Sequence, residues 1–219
     1  MLAVRPPKRV EVVLLTSDRG LCGGFNSNIL RRAQRFLVET QGVHDHVQFS
    51  TIGRRGRDHA KKRGMKSRKD YVGFFGKLRY GNAHEVATDL VAEYESAQLD
   101  AVYLLYNEFV SALTQRVSLK QLLPIQPKTQ ATSGADYLYE PARNEVLAKL
   151  LPQHLGMQIW RALLESEAAE YAARMTAMGA ATKNAGEMIG RLTLEYNRAR
   201  QAAITKELME IVSGAEALK

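Results

Sequence analysis

The stretch TSDRGLCGGFNSN, Thr16 to Asn28, has the residue types and the setting of a phosphate site. It follows the apolar run VEVVLLTS and precedes the amphipathic NILRRAQRFLVE. A strand, a glycine-rich turn and a helix N-terminus can cradle an anion, because backbone N–H groups and the helix dipole converge there. The spacing argues against that chemistry here. Glycines stand at 20, 23 and 24, which matches neither G-x-G-x-x-G nor G-x-x-x-x-G-K-S/T, and Gly24 is followed by Phe25 and Asn26 rather than by a Lys and a hydroxyl. The glycines are read instead as permitting a tight turn and close backbone packing, with Asp18 and Arg19 able to pair or cap.

Other chemistry is thinner. No Ser stands in G-x-S-x-G, and no acidic pair stands out as an acid–base couple. His44 and His46 in GVHDHV lack the further spaced ligands that a metal site needs, so a polar surface loop is the better reading. Neither a cofactor nor a metal is expected. The run RRGRDHAKKRGMKSRK, Arg54 to Lys69, holds nine Lys or Arg, and the whole chain carries a formal net charge of +8. Such a balance points to acidic partners: nucleic acid, an anionic membrane surface or an acidic protein. The run contains no aromatic residue for base stacking. A solvated basic face is therefore the first reading, and docking to an acidic protein the second.

The elements that must position these residues follow from the patterning. At 219 residues, 45% hydrophobic and 25% charged, the chain suits one ample core, or a domain with a large extension. Its apolar runs fall short of a bilayer span, MLAVRPPKRVEVV has no signal core, and the single cysteine fits a reducing compartment, all consistent with a cytosolic chain. Strands are expected at Val10–Ser17, Val47–Gly53, Tyr71–Phe75, Asp100–Tyr106 and Val117–Ile125. Helices are expected at Phe25–Glu39, over the basic run up to Gly64, and from a cap at Asn82 to Ala97. The alternation predicts an α/β fold, a Rossmann-like βαβ domain with a mostly parallel sheet. The expected division is an α/β foot domain over 1–125, a linker and short ordered segment closing on Pro152 over 126–154, and a long C-terminal helix over 155–219.

That last segment holds the strongest pattern. From Leu164 through Tyr171, Met178, Ala185, Leu192 and Ala199, largely apolar residues recur in a four–three alternation. Sustained spacing of 3.5 residues is a coiled-coil seam. A helix of that extent would run roughly 90 Å and project beyond an α/β domain. With Gly179, Gly186 and Gly190 inside it, the helix is not expected to stand alone with its stripe wet. Either another chain supplies its second strand, or the sequence lacks a segment.

SDRGLCGGFN at 17–26, YLYEP at 137–141 and, above all, the stretch 165–218 (ESEAAEYAARMTAMGAATKNAGEMIGRLTLEYNRARQAAITKELMEIVSGAEAL) resemble the gamma subunit of bacterial F-type ATP synthases. The resemblance covers the whole chain, loosely between Arg54 and Gln130. It implies that the missing strand of the seam is an N-terminal helix, and hence a truncated sequence or a start placed downstream of the true one. It further implies a noncatalytic central-stalk rotor subunit of a proton-translocating synthase, peripheral at the cytoplasmic face of the bacterial inner membrane. The implied partners are the alpha and beta subunits of the ring, the epsilon subunit and the c-ring, with no nucleic acid. Carried over by position, Glu170, Arg174, Arg200, Gln201, Thr205 and Glu207 are expected as rotor–stator contacts. Arg19 and Cys22 are expected near an acidic loop of beta, and Tyr137, Tyr139 and Glu140 near epsilon and the c-ring. The competing readings are a small α/β nucleotide-binding protein using the 17–26 turn, and a basic nucleic-acid-binding adaptor with a dimerising helix.

Overall fold

A computed structural model describes residues 1–126, 139–140 and 142–217. They fall into two compact units, Met1–Thr176 and Ala177–Lys219. The first unit contains one sheet built from β1 (Arg9–Leu15), β2 (His46–Ile52), β3 (Ser67–Tyr71), β4 (Ala101–Phe109) and β5 (Gln115–Leu123), in the order β3-β2-β1-β4-β5. The first four strands run parallel, and β5 returns antiparallel to β4. Helices α1 (Phe25–Glu39), α2 (Arg54–Arg63) and α3 (Tyr80–Glu95) make the crossovers, and α4 (Arg143–Glu216) contributes to both units. The chain thus folds as the expected mostly parallel α/β sheet with a long C-terminal helix.

The apolar strand β1 is central, and its two faces explain why it reads as an almost unbroken Val/Leu run. Val10, Val12 and Leu14 pack under Ile29, Ala33 and Phe36 of α1. Val13 and Leu15 pack with Val86, Leu90 and Tyr94 of α3 and with Leu155, Ile159 and Leu163 of α4. Each of those fully buried α4 side chains contributes about 1.5–3 kcal/mol.

Several boundaries differ from the expectation, each for a local reason. The third strand is Ser67–Tyr71 rather than Tyr71–Phe75, because Gly73 and Gly76 turn the backbone at φ of 82° and 86°. Its sequence, SRKDY, lacks an apolar pattern because its side chains enter ion pairs. The helix expected to start at Asn82 starts at Tyr80, and Asn82 caps it from the third position by accepting the Arg79 N–H at 2.9 Å. The segment expected to close on Pro152 is instead the start of α4, with Pro152 inside the helix. A proline there removes one backbone hydrogen bond and costs about 3 kcal/mol. Burial of Leu155, Ile159 and Leu163 just downstream exceeds that cost. The expected division at 154/155 therefore falls within α4, and the helix contributes its residues up to Thr176 to the sheet-bearing unit.

A charged network crosses the sheet face under α3. Glu11, in the middle of β1, is fully buried. It accepts hydrogen bonds from Arg68 Nε (2.8 Å) and Nη2 (3.0 Å), from Gln48 Nε2 (3.3 Å) and from the Ser50 hydroxyl. Arg68 also donates to Asp89 on α3 at 2.5 Å, where Lys69 and the Tyr71 hydroxyl converge. Burial alone would raise the Asp89 carboxyl, but hydrogen bonds from Arg68 and Lys69 hold it below its ordinary value. Burial together with Asp89 pushes the Tyr71 hydroxyl well up. At the amino end of β1, Arg9 grips Asp100 through both its backbone N–H and its guanidinium, and those bonds hold the Asp100 carboxyl low.

Removing Arg68 strands a buried carboxylate. Arg68→Ala is expected to cost about 3–5 kcal/mol in denaturant unfolding, and Glu11→Leu combined with Arg68→Met to recover most of it. Asp89 and Asp100 have folded values below the unfolded reference of 3.8. Their contribution is therefore present above that pH and lost as pH falls through the folded values. Thermal midpoints should drop below about pH 4, and Asp100→Asn should flatten part of that acid slope.

Candidate functional site

The turn from Thr16 to Gly24 joins β1 to α1 at the carboxyl edge of the sheet, and short polar side chains set its path. The Thr16 N–H and hydroxyl both bond to the Ile52 carbonyl, and the same hydroxyl accepts the Gly56 N–H at 2.8 Å. The approach is close: at Gly53, with φ of 101°, a Cβ would sit 1.9 Å from the Thr16 carbonyl oxygen. Asn26 reaches back across the turn, accepting the Ser17 N–H at 2.9 Å and donating to Ser17 Oγ and Cys22 Sγ. Asp18 accepts the backbone N–H groups of Arg54 (2.9 Å) and Gly73 (3.1 Å), so one carboxylate ties the turn to α2 and to the loop after β3. The sequence had left Asp18 and Arg19 as a pair or a cap; Asp18 caps α2.

The turn is held from the other side by α4. Cys22, Phe25 and Ala169 form a small buried cluster. Arg174 Nη2 donates to Glu170 at 2.6 Å and to the Gly20 carbonyl at 3.4 Å, and its guanidinium lies 5.8 Å from the Tyr171 ring centroid. One turn earlier on α4, Glu167 accepts the Gly76 N–H at 2.7 Å. Burial raises the Glu170 carboxyl above its ordinary value, against the opposing pull of Arg174. A cavity of about 180 Å³ remains among Asp18, Arg19, Phe75, Glu170, Tyr171 and Arg174.

The structure thus brings Arg19, Cys22, Glu170 and Arg174 to one place, but not all in the expected manner. Glu170 is buried, and its carboxylate pairs within the chain. Cys22, expected at an interface, is 2% exposed. The residue the turn displays is Leu21, 74% exposed at φ of 64°, which the sequence reading passed over. Only its place between glycines hinted at it. Glu167 was also missed, although its helical spacing from Glu170 and Arg174 puts all three on adjacent turns.

In the second unit, Arg200, Gln201, Thr205 and Glu207 are all exposed. At about 100° per residue they span roughly 160° of the α4 circumference, one half of its surface. Among the described residues neither Arg200 nor Glu207 enters an ion pair, whereas nearby Arg191–Glu195 and Lys206–Glu210 pair loosely at 3.9 and 3.7 Å. Along the seam, Met175, Ile189, Leu192 and Tyr196 are each more than half exposed. Tyr139 and Glu140 are exposed just before α4, with the Arg143 guanidinium 5.7 Å from the Tyr139 ring centroid. Tyr137 lies outside the described residues.

Arg174 is the testable pin. Arg174→Ala should free the Gly20 carbonyl and loosen the turn over Cys22. Loss of about 1.5 kcal/mol of charged hydrogen bonding would raise native-state alkylation of Cys22 on the order of tenfold. The alkylation rate followed by mass spectrometry, with circular dichroism as the control for folding, measures it.

The family model described as ATP synthase matches residues 1–218. The ATP synthase gamma chain of Anaeromyxobacter sp. (strain Fw109-5) is 56% identical over 221 residues, covering all of this chain and 76% of its own length. That of Geobacter metallireducens is 48% identical, covering all of this chain and 77% of its own. Among solved structures, a chain from the central stalk and c-ring of the Tetrahymena thermophila mitochondrial ATP synthase superposes with a TM-score of 0.66 at 25% identity, over 82% of this chain and 79% of that one. A chain of the Euglena gracilis mitochondrial ATP synthase shares the fold, with a TM-score of 0.73 at 19% identity over 97% and 73%. The chain belongs to the gamma-chain family of ATP synthase.

Proposed function

We propose that this gamma chain, the central-stalk rotor subunit of an ATP synthase, acts without a catalytic site of its own and transmits rotation by contact. The α/β unit would serve as a foot bound to epsilon and seated on the c-ring, peripheral at the cytoplasmic face of a bacterial inner membrane. The second unit would turn inside a ring of alpha and beta subunits. Proton flow turns the c-ring, and an asymmetric rotor can shift the beta sites between affinities only through contact free energies that differ from face to face.

The observation that carries this reading is the charged half-face of α4. Arg200 and Glu207 are exposed and unpaired among the described residues, with Gln201 and Thr205 beside them. Charges left without intramolecular partners on one side of a helix suit contacts to a stator, which charge-assisted hydrogen bonds would make direction-specific. Glu170 and Arg174 act differently in this reading: already paired, they hold the turn to α4 and reach the ring only through that turn. The 17–26 turn would face an acidic segment of beta through Arg19, with Cys22 beneath it. Tyr139 and Glu140 would lie toward epsilon and the c-ring.

The rival nucleotide-binding reading has less support, because Asn26, Asp18 and Arg174 occupy the turn's polar groups from within. In the assembled enzyme, Arg200→Ala combined with Gln201→Ala should lower ATP-driven proton pumping per ATP hydrolysed by about tenfold, the scale of one charged hydrogen bond. The α/β unit should stay folded. Unchanged assembly, ATPase and pumping in that variant would refute the contact.

A further inference from the structure

The carboxyl end of β5 and the early turns of α4 bound a groove within the first unit. On α4, Leu151, His154, Leu155, Gln158 and Arg161 recur at three- and four-residue spacing, so they line one side of the helix over about three turns. Facing them, β5 and the residues after it supply Lys120, Leu122, Pro124 and Ile125. The volume between is about 690 Å³, inside the roughly 300–1,000 Å³ of small-molecule sites. Its floor is the outer wall of the main core. Leu122 and Leu155 belong to that core, and Ile125 packs against it.

The rim of the groove is polar and of one sign. No carboxylate lines it, whereas Lys120, His154 and Arg161 do. Among the described residues Lys120 and His154 enter no ion pair, and the Lys120 ammonium is steadied by donating to Gln158 Oε1 on α4. Arg161 uses its Nε for Glu165, at 2.7 Å, and its side chain is 72% exposed, so its terminal nitrogens remain free to donate. The strand end has little to offer an added peptide strand. Pro124 has no N–H, and its carbonyl already accepts the Gln121 amide at 3.2 Å.

We propose that this groove binds an amphipathic anion, an alkyl chain ending in a carboxylate or a phosphate. The chain lies on Leu122, Ile125, Leu151 and Leu155, and the head sits among Lys120, His154 and Arg161. Charge-assisted hydrogen bonds from an acid-free rim select an anionic head over a neutral one. The apolar floor selects a hydrocarbon tail, which inorganic phosphate lacks. An acidic peptide fits less well, because it would bring backbone groups that the β5 end leaves unpaired. Bound there, the ligand bridges β5 to α4 beside Pro152, where the helix lacks a backbone hydrogen bond. This site stands independently of the rotor reading and goes beyond it.

The test uses the synthase complex purified through this chain and placed in phosphatidylcholine nanodiscs. Co-purification of the ring subunits scores the rotor reading separately. The probe is dodecanoate carrying a diazirine at its far end. After irradiation, mass spectrometry should find it on peptides covering residues 120–126 and 151–161 of this chain. Lys120→Gln combined with Arg161→Gln, both at exposed positions, should lower that labelling about tenfold, the scale of one charged hydrogen bond. Labelling by the matching diazirine alcohol, which has no charged head, should not change. Label only on other subunits or on the exposed seam of α4 would overturn the proposal, as would a groove covered by a neighbouring protein and left unlabelled. Equal labelling of the variant, or an equal fall with the alcohol, would do the same. Unlabelled dodecanoate and phosphatidylglycerol vesicles are then added separately in excess. Competition by dodecanoate alone marks a free fatty acid as the source, and competition by the vesicles a membrane lipid. Competition by neither would sink the proposal.

Discussion

Leu155, Ile159 and Leu163 recur every fourth residue on α4 and enter the same core as Val13, Leu15 and Leu90. Two turns later Ala169, a small residue, lets the glycine turn close over Cys22 and Phe25. This burial fixes the rotation of α4 against the sheet. With the ridge seated, Glu167, Glu170 and Arg174 face the loops at the carboxyl edge, and their hydrogen bonds to Gly76 and Gly20 follow. The polar contacts at that edge are weak individually. They are specific because the apolar ridge leaves the helix no freedom to slide or roll.

Acidic groups are drawn inward over the same unit. Glu11 lies under α3, Asp100 is bound at the base of β1, and Glu170 is covered by the turn, each with an arginine partner. Glu11 and Asp100 are tolerable because each accepts several hydrogen bonds, and Glu170 because the Arg174 guanidinium pairs with it at 2.6 Å. Because each acid takes an arginine with it, these pairs leave the formal net charge of +8 to be carried by the rest of the chain. The basic run at Arg54–Lys69 is thus two things at once. Arg68 and Lys69 belong to the interior network, while Arg54, Arg55 and Lys62 look outward.

A rotor needs rigidity where it carries load and asymmetry where it touches its stator. The first requirement is met by a central strand buried on both faces and by a helix seated in the same core. In the function proposed above, the second would be met by side chains that the fold leaves without internal partners. The turn that resembles a phosphate loop serves the first requirement too: its glycines allow Thr16 and Gly53 to meet at a distance that any side chain would prevent.

Much of the fold was legible in the amino-acid sequence, because periodicity reports which faces are buried. Alternating strand and helix patterns predicted the parallel α/β order, Gly64 marked the end of α2, and the four–three alternation marked α4. The C-terminal motif identified the family. Polar local sequence misled where tertiary contacts override propensity: SRKDY forms a strand because Arg68 reaches Glu11 across the sheet, and Pro152 stays helical because the residues after it are buried. Which residue of GLCGG faces outward was likewise undecidable from spacing. Leu21 and Cys22 are adjacent and both apolar, and only the hydrogen bonds of Arg174 and Asn26, made by residues on other elements, turn one out and the other in. Sequence alone determined what could be buried; long-range packing decided what was left exposed to bind.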